Sequence, residues 1–175
     1  LIFGYSGNPN VTNNLTSLPE SIGDLENLER LEIYNNQLTT LPESIWDLSS
    51  LTYLDLSSNE LTEEISSEIE NLIHLHTLNL SNNQLNGEIP ESICSIYESL
   101  PYWGIFDISN NQLCPPYPEC LSEDDIGYQD TSECLECSEN QGDLNSDTEV
   151  NIFDILIMVN CIFDNNCDEC SDINY

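Results

Sequence analysis

The chain holds 175 residues, with 33 Asp and Glu against a single basic residue, Arg30, for a formal net charge of -32. A surface this negative repels nucleic-acid phosphates and anionic lipid headgroups, because binding either depends on Lys and Arg displacing counterions, so neither is expected as a partner. Cations and basic partners suit it, as do salty surroundings that screen its self-repulsion.

Self-similarity organises the first two thirds. The segments from Leu28 to Leu38, Leu51 to Leu61 and Leu75 to Leu85 all fit LxxLxLxxNxL. A fourth copy, Trp103 to Leu113, carries aromatic and Ile replacements, and a degenerate first copy keeps NNLTSLP from Asn13 to Pro19. The aligned asparagines are Asn13, Asn36, Asn59, Asn83 and Asn111, at offsets of 23, 23, 24 and 28. Apolar alternation predicts a short strand in each copy, and the Asn can turn its amide into backbone groups left free where the chain bends. Segments such as Leu41-Pro-Glu-Ser-Ile45 and Ile89-Pro-Glu-Ser-Ile93 then return the chain. One copy alone has no core, but stacked copies share a continuous one.

From about Asn13 to Leu121 these residues resemble the leucine-rich repeat family. SLPESI and TLPESI are similar to the bacterial type, whereas Leu85 to Pro90, LNGEIP, is similar to the form common in plant extracellular receptors. The resemblance implies an α/β solenoid, a short horseshoe of about five coils with parallel strands on its concave face. Residues between the inward leucines face that surface. They include Arg30, Glu32 and Tyr34, then Tyr53 and Asp55, then Thr77 and Asn79, then Ile105 and Asp107. An acidic, polar column of Glu32, Asp55, Asn79 and Asp107 beside Tyr34 and Tyr53 suits a protein, a basic peptide or a glycan; a plainly solvated strand face is the competing reading.

His74 and His76 could project to one side of a strand, but no third His or Cys shares their repeat, so structural or surface roles are expected. No GxSxG, HExxH or phosphate-cradling glycine loop is present, and paired carboxylates are uninformative in so acidic a chain. The chain reads as a non-enzyme.

All eight cysteines, Cys94, Cys114, Cys120, Cys134, Cys137, Cys161, Cys167 and Cys170, fall in the second half. An even count in loop-like sequence favours disulfides and an oxidising compartment, hence a secreted or cell-surface protein. Zinc is the alternative for the CxxC pairs at 134/137 and 167/170. The eight allow on the order of a hundred pairings, and none is assigned. Solenoids need an end cap, and Trp103, Phe106, Cys94, Cys114, Cys120 and Cys134 are expected to build one.

The stretch Asp143 to Asp154, DLNSDTEVNIFD, spaces oxygen donors as a twelve-residue calcium loop does. Asp143, Asn145 and Asp147 offer side chains, Glu149 its carbonyl, Asn151 a water-mediated contact, and Asp154 closes the loop. Hard oxygen donors suit calcium rather than zinc. Thr148 stands where Gly usually makes the turn at positive φ, a strain of about 1 kcal/mol. With GDLN before it, Asp at its last position and an apolar run from Ile152 to Phe163 after it, the loop resembles a dockerin repeat. A second copy begins at Asp172 and Asn174 and stops at Tyr175. Because the chain starts at Leu1 and stops inside this copy, it is expected to be a fragment or trimmed product.

The organisation expected is repeats at 1–121, a Cys-containing acidic cap or linker at 122–142, and a partial helical dockerin or EF-hand-like calcium module at 143–175. No stretch reaches the about 18 apolar residues of a membrane span, so membrane insertion is not expected. The function implied is extracellular, non-catalytic binding with a calcium-dependent connector. A cohesin-like partner in a polysaccharide-degrading assembly, or a structural adhesin, is the alternative.

Overall fold

The computed structural model describes residues 14–132 and Cys134. The expected calcium loop Asp143 to Asp154, the apolar run after it, Asn13, and Cys137, Cys161, Cys167 and Cys170 lie outside the described residues.

Four strands, β1 (Arg30–Glu32), β2 (Tyr53–Asp55), β3 (Thr77–Asn79) and β4 (Ile105–Asp107), form one parallel sheet in chain order. The register keeps the copies aligned, with Leu31, Leu54, Leu78 and Phe106 paired in succession. Because successive side chains alternate, this column turns inward while Arg30, Tyr53, Thr77 and Ile105 make one row on the other face. Glu32, Asp55, Asn79 and Asp107 make the next row.

Parallel pairing requires each strand to be entered from the same end, so a return segment must cross behind the sheet. Three of these returns are 3-10 helices, Glu20–Asp24, Glu43–Asp47 and Ser67–Asn71. Pro19 and Pro42 start the first two with φ already fixed, and their carbonyls accept from Ile22 and Ile45 at 2.9 and 3.0 Å. Ser66 starts the third, its side chain accepting from the Glu68 N–H. The longer spacing before Asn111 leaves room for a true helix, α1 (Ile93–Ser99). Leu31, Leu54, Leu78, Ile45, Ile69 and Ile93 are fully buried between the two layers.

The repeat asparagines stitch the copies together. Asn59 Oδ1 accepts from the Leu38 N–H at 3.1 Å, and its Nδ2 donates to Ile33 O and Leu56 O at 2.7 and 2.9 Å. Asn83 does the same for Leu61, Leu56 and Leu80, and Asn111 for Leu85, Leu80 and Ile108. The residue before each ladder asparagine, Asn35, Ser58, Asn82 and Asn110, sits at φ of 56 to 57°. Three of the four are Asn, which tolerates that left-handed conformation better than most residues.

The ladder ends on a residue that the repeat pattern does not reveal. Gln129 Oε1 accepts from the Leu113 N–H at 3.3 Å, and its Nε2 donates to Ile108 O and Ile126 O at 3.0 and 2.8 Å. Gln129 thus does for the fourth copy what an asparagine does for the others. It follows α2 (Glu123–Ile126), whose capping box pairs Ser122 with Asp125 and which stops at Gly127 with φ of 64°. A Cβ at Gly127 would stand 2.6 Å from the Ser109 Cβ, so glycine also lets this segment lie against the last copy.

Disulfides Cys94–Cys120 and Cys114–Cys134 fasten α1 and the end of the fourth copy to the cap. Cys134 is therefore not a zinc thiolate, which leaves the 134/137 pair one ligand short. The expected cap residue Phe106 is half-buried, its ring edge-to-face with Tyr97 at 5.1 Å. Trp103 departs from expectation. It occupies the place of the inward Leu51 and Leu75 yet is 62% exposed, touching His76 edge-on. In this longer copy α1 brings Ile93 and Ile96 into the core instead.

Candidate ligand-binding face

The exposed face of the sheet collects the predicted residues into two rows. In the first, Arg30 lies over the Tyr53 ring, its guanidinium carbon 3.6 Å from the ring centroid, and donates to Glu32. Its side chain is half exposed, whereas Glu32 is nearly covered. The Glu32 hydrogen bond raises the Arg30 pKa, and burial followed by the Asp55 charge pushes the Tyr53 phenol up. The only cationic side chain of the sequence is thus held in place by one carboxylate and one aromatic ring.

Thr77 is buried and Ile105 is 50% exposed at the far end of the same row. In the second row Glu32 holds Arg30, and the other three side chains are committed to turns. Asp55 Oδ1 accepts from the Ser57 N–H and hydroxyl at 3.0 and 2.6 Å. Asn79 does so with Ser81 and Asp107 with Ser109. The recurring D/N-x-S triplets carried this signal, which the sequence reading passed over. Tyr34 is half-buried beyond Glu32.

The sheet therefore presents a firm floor of turn-locked acidic groups, a cation over an aromatic ring, a second tyrosine and an exposed Ile. Such a surface can pair with peptide backbone and basic groups and cover apolar side chains. His74 is exposed and His76 is half-buried against Trp103. Among the described residues no group of three or more His, Cys, Asp or Glu is placed to hold a metal ion, and no helix is long and apolar enough to cross a membrane.

Residues 11–61 and 74–96 match leucine-rich repeat family models. No curated protein sequence matches the chain. Solved structures do. The BIR2 ectodomain from Arabidopsis thaliana is similar at 30% identity and a TM-score of 0.56, over 65% of this chain and 61% of that one. The Arabidopsis receptor kinase HAESA, solved in complex with the peptide hormone IDA and the co-receptor SERK1, is similar at 38% identity and a TM-score of 0.51, over 58% and 17%. The plant peptide hormone receptor RGFR1, solved with RGF2, is similar at 36% identity and a TM-score of 0.52, over 56% and 15%. The chain spans about three fifths of the first and less than a fifth of the other two.

Proposed function

We propose that this leucine-rich repeat protein is an extracellular, non-catalytic binder that receives a polypeptide across the exposed face of its parallel sheet. We read that face as the concave side of a short horseshoe of about five coils. The observation that carries the reading is the cross-strand row Arg30, Tyr53, Thr77, Ile105, which joins a cation–aromatic pair and an exposed apolar side chain on one rigid surface. Of the similar structures, HAESA is solved with the peptide hormone IDA and the peptide hormone receptor RGFR1 with RGF2, which favours a polypeptide over a glycan. Two disulfides agree with a secreted or cell-surface setting. The test is to select binders from a random peptide library and measure them against Tyr53→Ala and Ile105→Glu. Each variant is expected to weaken binding by at least about tenfold, as loss of a central contact does. Unchanged affinity in both contradicts the assignment.

The reading extends to a calcium-dependent connector built on Asp143, Asn145, Asp147, Glu149, Asn151 and Asp154. It would join the repeats to a further protein, with a cohesin-like module as one such partner. The support is the oxygen spacing alone. Calcium is expected to raise the melting temperature of the chain, and Asp143→Ala with Asp154→Ala to remove the rise. A chain indifferent to calcium refutes the connector.

A further inference from the structure

Away from the strands, two hollows of about 190 and about 410 Å³ share Glu64, Ile65 and Ser66 as a common wall. Together they make a furrow along the loops leading from the strands to the return helices. It runs from Leu41 and Trp46 in one copy, past the 61–66 segment of the next, to Glu88 and Glu91, and on to Pro116 and Tyr117. Its floor is apolar, with Leu61, Leu80 and Leu85 no more than 4% exposed and Trp46 6% exposed. Its rim is acidic, with Glu43, Glu63, Glu64, Glu88 and Glu91 all exposed.

The rim has few opposing charges within the chain. The sequence contains one Lys or Arg in total, and that residue, Arg30, is engaged by Glu32 and Tyr53 on the sheet. Glu63 Oε2 accepts from the Leu41 N–H at 3.0 Å, which fixes one rim carboxylate at the edge of the floor. Gly87 serves the furrow as well. A Cβ there would stand 2.6 Å from Glu64 Cγ, so the bare glycine, at φ of 70°, lets Glu64 lie across the boundary between the hollows. Carboxylates beside a low-dielectric floor focus a negative potential into the furrow.

We propose that this furrow is a second docking site, separate from the sheet face, for a cationic amphipathic segment of a partner polypeptide. Lys or Arg stems lie along Leu61, Leu85 and Trp46 while their charged ends reach the glutamates, and intervening apolar residues cover the floor. Neighbouring parallel strands are about 4.8 Å apart, so three repeat steps span roughly 14 Å, the length of about four extended residues. The charge of the rim sets the sign of the partner, and the depth of the floor demands apolar side chains between its charges.

The sequence holds two tryptophans, so Trp103→Phe leaves Trp46 in the furrow as the single indole. In that protein we would titrate an acetylated and amidated hexapeptide alternating Lys and Leu, and read Trp46 emission. A saturable change in emission is expected. Glu64→Gln with Glu88→Gln and Glu91→Gln should weaken it about tenfold, as loss of three exposed ion pairs would. A control triple of equal charge, Glu26→Gln with Glu60→Gln and Glu70→Gln, should change it less than about threefold. All six sites are exposed, and circular dichroism checks that both triples keep the fold. A hexapeptide of Lys alone is expected to bind more weakly than the alternating one. If both triples weaken binding equally, if the all-Lys peptide binds as tightly, or if Trp46 does not respond, attraction to the overall charge is all there is and the furrow is not a site. The sheet-face reading is scored by other residues, so either proposal can fail alone.

Discussion

At the scale of single residues, the repeat is held by amides as much as by leucines. Each ladder asparagine is buried and satisfies backbone groups of two adjacent copies, so its removal orphans donors and acceptors that water cannot reach. Asn59→Ala is expected to cost about 2–4 kcal/mol in urea unfolding, because the Leu38 N–H and the Ile33 carbonyl both lose their partner. Asn82→Gly, exposed and left-handed, should stay within about 0.5 kcal/mol of the parent. The asparagine role was legible because LxxLxLxxNxL fixes where a bend must fall. The fate of Asp55, Asn79 and Asp107 was not read, since alternation says which face a residue occupies and nothing about a hydroxyl two positions on. Their oxygens support the turns first and can meet a ligand only from that locked geometry.

At the scale of elements, the terminal cap shows how a solenoid closes without another copy. Gln129 reaches back by its longer side chain because the segment carrying it arrives only 18 residues after Asn111, too soon for a full coil. No repeat search finds it, for both its spacing and its side chain depart from the pattern. Gln129→Ala is expected to cost about 1–3 kcal/mol, read by urea unfolding, by orphaning the Leu113 N–H.

The same cap should respond to acid. Hydrogen bonds from Ser122 hold the Asp125 carboxyl below its usual range, with Tyr97 assisting. A depressed folded-state pKa stabilises the protein above the ordinary carboxylate pKa, near 4, and that stability is lost as pH falls through the folded value. Asp125 is half-buried at the surface, so the effect is about 0.5 kcal/mol after solvent screening. Denaturation between pH 5 and pH 2 should therefore narrow the stability gap between the parent and Asp125→Asn. A gap independent of pH counts against the assignment. The return layer was legible only as a direction. Periodicity does not separate a single 3-10 turn from an α-helix, and repeat length decides which one fits, as α1 shows in the longest copy.

At the scale of the whole molecule, strands, register and inward column follow from the repeat, since copies of one length must stack in one register. The candidate face follows from the same alternation, and Arg30, Glu32, Tyr53 and Ile105 stand on it together. The furrow has no signature of its own, because its walls come from four copies whose lining positions differ in sequence. The pairing of Cys94 with Cys120 and Cys114 with Cys134 was equally closed to counting and needed the fold to bring the partners together.

The sheet face is where we propose that the ligand lies. Hydroxyl-radical footprinting of a library-selected peptide on the intact chain tests it most directly. Ile105, Tyr34 and Tyr53 are expected to be protected in the complex, while Leu25 and Ile73, exposed beside the return helices, keep their reactivity. Protection of Leu25 and Ile73 with Ile105 and both tyrosines unchanged would place the ligand on the opposite layer and contradict the account.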